Sequence, residues 1–145
     1  MNRFERRTVL QAAAGLAATR VGLRLAGYRR WKHLLEQFAR SHASRCVIER
    51  VEIPAVARDI ARLEAAAARH LPFDTNCLEQ SLVLCGLLEL RGIQPKLRIG
   101  ARKEADRFEA HAWVEVCGYV LNDGEEHVHF VPFEDSIPSA EMETI

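Results

Sequence analysis

The chain has 145 residues, of which 48% are hydrophobic and 28% are charged, as in an ordinary soluble globular protein. This length predicts one domain with a modest core. The four cysteines, Cys46, Cys77, Cys85 and Cys117, are too sparse for a disulfide scaffold, and their spacing matches no zinc module. We therefore expect reduced thiols and a cytoplasmic protein.

The zero net charge hides a gradient along the chain. Residues 1–50 hold 11 Lys/Arg against 3 Asp/Glu, a net of +8, whereas residues 101–145 hold 3 against 11, a net of −8. The basic part could bind an acidic partner or an anionic surface, or it could be the solvated side of a helix pair. We predict no nucleic-acid partner, and we expect Arg20, Arg24, Arg29 and Arg30 to contribute to a protein-binding face.

The N-terminus contains a pattern that resembles an export signal. Arg6 and Arg7 precede a mildly apolar stretch, as in a twin-arginine signal, but Arg20 and Arg24 interrupt it. No apolar run reaches the roughly 18 residues that a membrane span needs. We interpret the segment as a basic amphipathic helix of the fold with no membrane span, and an export signal is the alternative.

The predicted elements follow one another as helices and then strands. Residues 4–26 and 28–42 predict two helices with a break at Gly27, and residues 46–54 predict a strand or an extended linker. Later helices are expected at 54–70, with Pro54 in its first turn, and from Cys77 toward Gly92; strands are expected at 96–102, 109–116, 119–123 and 127–132. This order predicts an α+β fold in which the Cys77 helix packs on a small antiparallel sheet.

Cys77 lies where a helix start would activate a thiol. Asn76 is a good N-cap and Glu79 follows it three residues later, so Cys77 becomes the first helical residue. Unpaired N–H groups at a helix start favour the thiolate and offer an oxyanion site, although Glu79 opposes this effect. Cys85, two turns further along, is interpreted as a core residue.

His111 is the candidate base, and Asp123 is its candidate partner. If Val116-Cys117-Gly118 is a three-residue hairpin loop with Gly118 left-handed, His111 and Asp123 become cross-strand neighbours. A two-residue loop would place Asp123 on the opposite face. Cysteine, histidine and aspartate would then act as nucleophile, base and orienting group; a purely structural role for these residues stays open.

Two further histidines raise the question of a metal. His127 and His129 would share one face of a short strand near Asp123 and Cys117, but no fourth ligand has a suitable spacing. We therefore assign no metal site.

The stretch from Asn76 to Asp123 resembles the transglutaminase-like cysteine proteases that mature lasso peptides. Its helix "CLEQSLVLCGLLELRG" precedes the strand "RIGAR" and the hairpin "AHAWVEVCGYVLND". The resemblance implies that Cys77 is the nucleophile, His111 the base and Asp123 the third member of a transglutaminase/papain-like core. Gln80 and Cys117 depart from the family pattern, which often has a basic and an acidic residue there.

The resemblance also implies a pathway. The enzyme would cleave the leader from a ribosomally made precursor peptide, together with a small leader-recognition protein and an asparagine-synthetase-like cyclase. The sequence has no G-x-x-x-x-G-K-[ST] motif, so we assign no nucleotide site and no cofactor, although the pathway could depend on ATP. The expected parts are a basic helical segment (1–53), a protease core (54–135) and an acidic tail (136–145).

Two other functions fit the same residues. A transglutaminase-fold transferase would form the same acyl-thioester intermediate and pass the acyl group to an amine. A non-catalytic scaffold that binds a peptide or partner with its basic helices would need neither a reactive Cys77 nor a carboxylate beside His111.

Overall fold

A computed structural model describes residues 1–44, 47–123 and 126–132, with only the backbone of Glu126. Its helices are α1 (Arg3–Ser41), α2 (Ile53–His70) and α3 (Cys77–Leu90), and its strands are β1 (Lys96–Glu104), β2 (Arg107–Val116), β3 (Tyr119–Val120) and β4 (Val131–Pro132). The strands form one antiparallel sheet in the order β3-β2-β1-β4. The predicted α+β class is confirmed, and the predicted tail at 136–145 lies outside the described residues.

Helix α1 turns back on itself at the predicted break. Gly27 has φ 81° and ψ 167°, a backbone conformation that residues other than glycine rarely adopt. Beyond the break, the Trp31 ring lies on Gly22, where an added Cβ would be 2.2 Å from the indole. The indole N–H donates to Thr19 Oγ1 at 3.0 Å. These contacts hold the two halves of α1 together as a helical hairpin.

The linker before α2 contains no strand in its described part. Residues 47–52 are irregular or turn, so the strand alternative is wrong, and the linker ends in a turn closed by the Glu52 N–H donating to the Glu49 carbonyl at 2.9 Å. Helix α2 begins at Ile53 with Pro54 in the first turn, as predicted, because proline has no N–H to leave unpaired there.

The main core lies where the three helices meet one face of β2. Leu16, Ile60, Leu84, Leu88 and Val114 are fully buried in it, one or two from each contributing element. Each such side chain stabilises the fold by roughly 1.5–3 kcal/mol relative to an exposed one. This packing fixes α3 across the sheet and so sets the position of its first turn.

The hairpin between β2 and β3 differs from the predicted register. Val116 pairs with Tyr119, so the loop is the two-residue Cys117-Gly118 rather than a three-residue loop. Gly118 has the predicted positive φ (80°), but Cys117 is also left-handed (φ 52°). Two left-handed residues make a type I′ turn, whose twist matches that of the flanking strands. The predicted register was wrong because the three-residue loop needs Cys117 in the right-handed region, and Cys117 is left-handed.

The first half of the segment predicted as a strand at 127–132 belongs to a 3₁₀-helix, Glu126–His129. Only Val131 and Pro132 pair with β1. The backbone N–H of His127 donates to the Asp123 carboxylate instead of to a neighbouring strand. This local bond favours a turn over an extended chain. Within the described ranges, no helix combines the length and the apolar character needed to cross a membrane.

Candidate active site

Cys77 is the first residue of α3 and is half-buried. The Asn76 side chain caps the helix by accepting from the Glu79 N–H at 2.8 Å. The Gln80 N–H donates to the Asn76 carbonyl at 3.1 Å. In the described part of the chain, the N–H groups of Cys77 and Leu78 form no hydrogen bond. The helix start therefore offers two N–H donors beside the thiol, as predicted.

The loop before Cys77 is braced by Gln80, the residue that departs from the family pattern. Its side-chain amide donates to Thr75 Oγ1 at 2.8 Å and lies 3.5 Å from the Thr75 carbonyl oxygen. Gln80 therefore shapes the chain that leads into the helix.

Arg20 of α1 contacts both this loop and the first turn of α3. Its guanidinium donates to the Asp74 carbonyl and stacks over the Phe73 ring, with Cζ 4.6 Å from the centroid. Its Nε lies 3.7 Å from Glu79 Oε1, and the Glu79 side chain is only 8% exposed. Arg20 thus forms an ion pair with a carboxylate in the same helical turn as Cys77. Its internal contacts also distinguish it from Arg24, Arg29 and Arg30, which are exposed.

His111 and Asp123 form the predicted pair. His111 Nε2 lies 2.9 Å from Asp123 Oδ1, and the two side chains are 14% and 4% exposed. The imidazole stands beside aromatic rings, with centroid distances of 5.0 Å to Phe130 and 5.9 Å to Trp113. Because Nε2 donates to the carboxylate, Nδ1 is the nitrogen left to accept a proton.

Asp123 also binds a second histidine. The backbone N–H of His127 donates to Oδ2 at 2.5 Å, and His127 Nδ1 lies 2.9 Å from the same oxygen. Burial alone would raise the pKa of Asp123, but the hydrogen bonds from His111 and His127 and the His111 charge outweigh burial and lower it. The carboxylate is therefore held ionised beside the imidazole.

A hydrogen-bonded asparagine connects the two halves of the site. Asn122 Nδ2 donates to the buried Ser81 Oγ at 2.9 Å, and Asn122 Oδ1 accepts from the Val114 N–H at 2.9 Å. Ser81 lies one helical turn after Cys77, and Asn122 directly precedes Asp123. The segment that carries Asp123 is therefore fixed to the same face of α3 that carries Cys77.

The structure brings His111 and Asp123 together, and it does not bring the thiol into hydrogen-bond contact with either. His111 and Trp113 point toward Phe130 and His127, whereas their neighbours Ala112 and Val114 pack in the core. Hydrogen bonds between catalytic groups are often absent before substrate binds. Among the described residues, no group of His, Cys, Asp and Glu side chains is arranged to hold a metal.

The surroundings of Cys85 differ from those of a reactive thiol. Burial, reinforced by Glu89 nearby, raises the pKa of Cys85 to about 12. The protonated thiol is a poor nucleophile, as expected for a core residue.

Three contributors to the site were missed in the sequence: Arg20, Asn122 and the bond of His127 to Asp123. Asn122 directly precedes the candidate residue Asp123 in the quoted "LND" stretch, and this position was a sequence signal that Asn122 belongs to the site. Arg20 and its partner Glu79 are 59 positions apart (79 − 20), and no sequence pattern indicated their contact.

Comparisons with known proteins point to the same family as the sequence motifs. Residues 12–134 match the model of the transglutaminase-like superfamily. A stretch of 51 residues is 43% identical to the microcin J25-processing protein McjB of Escherichia coli, covering 35% of this chain and 24% of that protein. The matched stretch thus spans about a quarter of the relative's length. No solved structure matches the chain. The resemblance stated from the sequence is confirmed.

Proposed function

Because the chain belongs to the transglutaminase-like superfamily, we propose that it is a cysteine peptidase that removes the leader from a ribosomally made lasso peptide precursor. The observation that carries this proposal is the part-buried His111–Asp123 hydrogen bond, with His111 on the strand β2 that packs against α3, the helix that begins with Cys77. The similarity to a microcin J25-processing protein supports the choice of substrate.

In the proposed reaction, Asp123 holds His111 in the tautomer that is protonated on Nε2. Nδ1 accepts the proton of the Cys77 thiol, and the thiolate attacks the carbonyl carbon of the last leader residue. The resulting oxyanion accepts hydrogen bonds from the free N–H groups of Cys77 and Leu78. Asp123 stabilises the imidazolium that forms.

Collapse of this intermediate breaks the peptide bond. His111 returns its proton to the amine of the core peptide, which leaves, and the leader remains on Cys77 as a thioester. His111 then takes a proton from water, whose oxygen attacks the thioester carbonyl. The leader departs with a new carboxylate, and the proton returns to the thiol.

The proposed partners follow from the same pathway. The precursor peptide would be presented by a small leader-recognition protein, and the released core would pass to an asparagine-synthetase-like cyclase. We propose that the reaction takes place in the cytoplasm and that this chain itself supplies no nucleotide site or cofactor. In this proposal the basic segment (1–53) serves association with these partners, and the segment 54–135 carries the chemistry.

The proposal is tested by incubating the protein with its precursor and recognition protein, followed by mass spectrometry of the peptides. We expect a free leader with a C-terminal carboxylate. Cleavage should be lost in Cys77→Ala and retained in Cys85→Ala. A leader joined to an amine, formed in place of the free carboxylate when that amine is present only at low concentration, would instead support a transferase.

A further inference from the structure

An apolar groove runs between the helical hairpin of α1 and the second half of α3. Its volume is about 740 Å³, within the range of natural ligand sites. Ala14, Gly15 and Ala18 line one side, Trp31, Leu34 and Phe38 the other, and Val83, Leu87 and Leu90 the floor. We call this the α1–α3 groove. Leu34 and Phe38 are 50% and 57% exposed, so large apolar side chains face water at its rim.

The groove continues into a basic hollow of similar volume, about 740 Å³, lined by Arg3, Phe4, Arg7 and Arg91. The two depressions share four lining residues, Gln11, Phe38, His42 and Leu90. They therefore form one continuous surface with an apolar body and a basic end.

The charges at the basic end have no acidic partner among the described residues. Within that part of the chain, no carboxylate pairs with Arg3, Arg7 or Arg91. Arg91 donates to the neutral oxygens of Thr8 and Gln11, at 3.1 and 3.4 Å, and its Cζ lies 5.1 Å from the centroid of the Phe4 ring. Burial, followed by the nearby Arg7 charge, lowers the pKa of Arg91. A bound carboxylate would relieve this repulsion.

A glycine keeps the groove open from the side of α3. Gly86 lines it, and a Cβ added there would meet no atom within 4 Å. Glycine in a helix interior destabilises by about 1 kcal/mol relative to alanine, and no close packing contact in the described structure requires it at this position.

We infer that the α1–α3 groove and its basic end bind an amphipathic helical segment of another polypeptide, with apolar side chains in the groove and carboxylates against Arg3, Arg7 and Arg91. Helix-in-groove recognition uses apolar anchors at intervals of three or four residues. The carboxylates give this segment its direction, because only one end of the groove is basic. The inference concerns binding, and it does not depend on the proposed cleavage.

Two fluorescein-labelled peptides of equal length test this inference. Both carry leucines at helical spacing; one ends in a run of glutamates and the other in a run of lysines. Fluorescence anisotropy measures their binding to the full chain, and ¹H–¹⁵N chemical-shift changes report where they bind. The acidic peptide should bind at least about tenfold more tightly than the basic one and should perturb the Leu34, Phe38 and Leu90 amides.

The variants are chosen to fold. Gly86→Trp and Phe38→Glu should each weaken binding of the acidic peptide at least about tenfold, whereas Gly86→Ala and the exposed Leu25→Glu should not. Changing Arg3 and Arg7 together to Gln should abolish the preference for the acidic peptide.

Four results would overturn the inference. The acidic peptide could bind wild type and Gly86→Trp equally, or show no shift changes around the groove at the highest soluble concentration. Self-association that Gly86→Trp abolishes would assign the groove to a second copy of the chain. Binding seen only after deletion of residues 133–145 would assign it to the chain's own acidic end.

Discussion

Asp123 accepts a hydrogen bond from His111 at 2.9 Å although the two residues are not opposite each other in the hairpin. Continuing the observed pairing would place Asp123 opposite Ala112. The Leu121 N–H still donates to the Val114 carbonyl at 3.0 Å, but the chain then leaves the ladder. The Asn122 side chain takes over the bond to the Val114 N–H. This departure turns Asp123 toward His111.

Replacing Asp123 by Asn should therefore lower the rate of precursor cleavage by about 10²-fold or more, because the amide can favour the wrong imidazole tautomer. Steady-state cleavage kinetics followed by mass spectrometry would measure the loss. Asp106→Asn, in the exposed turn before β2, is the matched control and should cleave at the wild-type rate. An Asp123→Asn enzyme as fast as its control would remove the carboxylate from the mechanism.

Asn122→Ala should destabilise the fold and slow cleavage. The substitution leaves the Ser81 hydroxyl and the Val114 N–H without partners, and each buried unpaired group costs roughly 1–3 kcal/mol. Urea denaturation measures the free energy of unfolding. Ser81→Ala removes only the hydrogen bond between Asn122 and α3, so it should lower the free energy of unfolding by less than Asn122→Ala does. Equal stability of Asn122→Ala and wild type would show that the hydrogen bonds of Asn122 do not stabilise the fold.

Arg20→Ala should slow alkylation of Cys77, because the Glu79 charge near the helix start then loses its ion pair with Arg20. Iodoacetamide labelling at one fixed pH, with the labelled peptide identified by mass spectrometry, measures the rate. Adding Glu79→Gln to Arg20→Ala should return the rate toward wild type, and the exposed Arg24→Ala should leave it unchanged. An unchanged labelling rate in a folded Arg20→Ala protein would assign Arg20 a purely structural role.

The buried Glu64 should make stability depend on pH. Its side chain is fully buried, neither oxygen has a hydrogen-bond partner in the described structure, and burial raises its pKa to about 8. Because the folded pKa lies above the unfolded value of 4.5, the contribution of Glu64 is fully present below pH 4.5 and declines up to about pH 8. Glu64→Gln should lack this decline, whereas the exposed Glu52→Gln should keep it. Thermal unfolding at several pH values would show parallel curves for both variants if Glu64 were not the cause.

Much of the fold could be predicted from local sequence signals. The N-cap at Asn76, the break at Gly27 and the proline at position 54 act within one or two turns, so their positions were confirmed. The hairpin register depended on the conformation of a single residue, Cys117. Its φ is positive, which is uncommon for residues other than glycine. The strand predicted at 127–132 was wrong in its first half, because the Asp123 side chain competed with the sheet for the His127 N–H, and its end at Val131–Pro132 is strand β4.

The site was predictable to the extent that its residues have recognisable chemistry. A thiol at a helix start and a histidine before an aspartate are visible in the sequence. The bonds of Arg20 to the loop before Cys77 and of Asn122 to Ser81 join distant parts of the chain, and they depend on how the helices pack against the sheet.

Intact-protein mass spectrometry of an acid-quenched reaction tests the central claim most directly. When the protein is mixed with precursor and recognition protein, we expect a transient adduct. In this adduct the leader, without the core peptide, is joined to the protein through a thioester, so its mass is that of the protein plus the free leader minus one water. Peptide mapping should place it on Cys77, and Cys77→Ala should show neither adduct nor cleavage. Cleavage at the wild-type rate by Cys77→Ala, or an adduct on Cys85 or Cys117, would contradict the account.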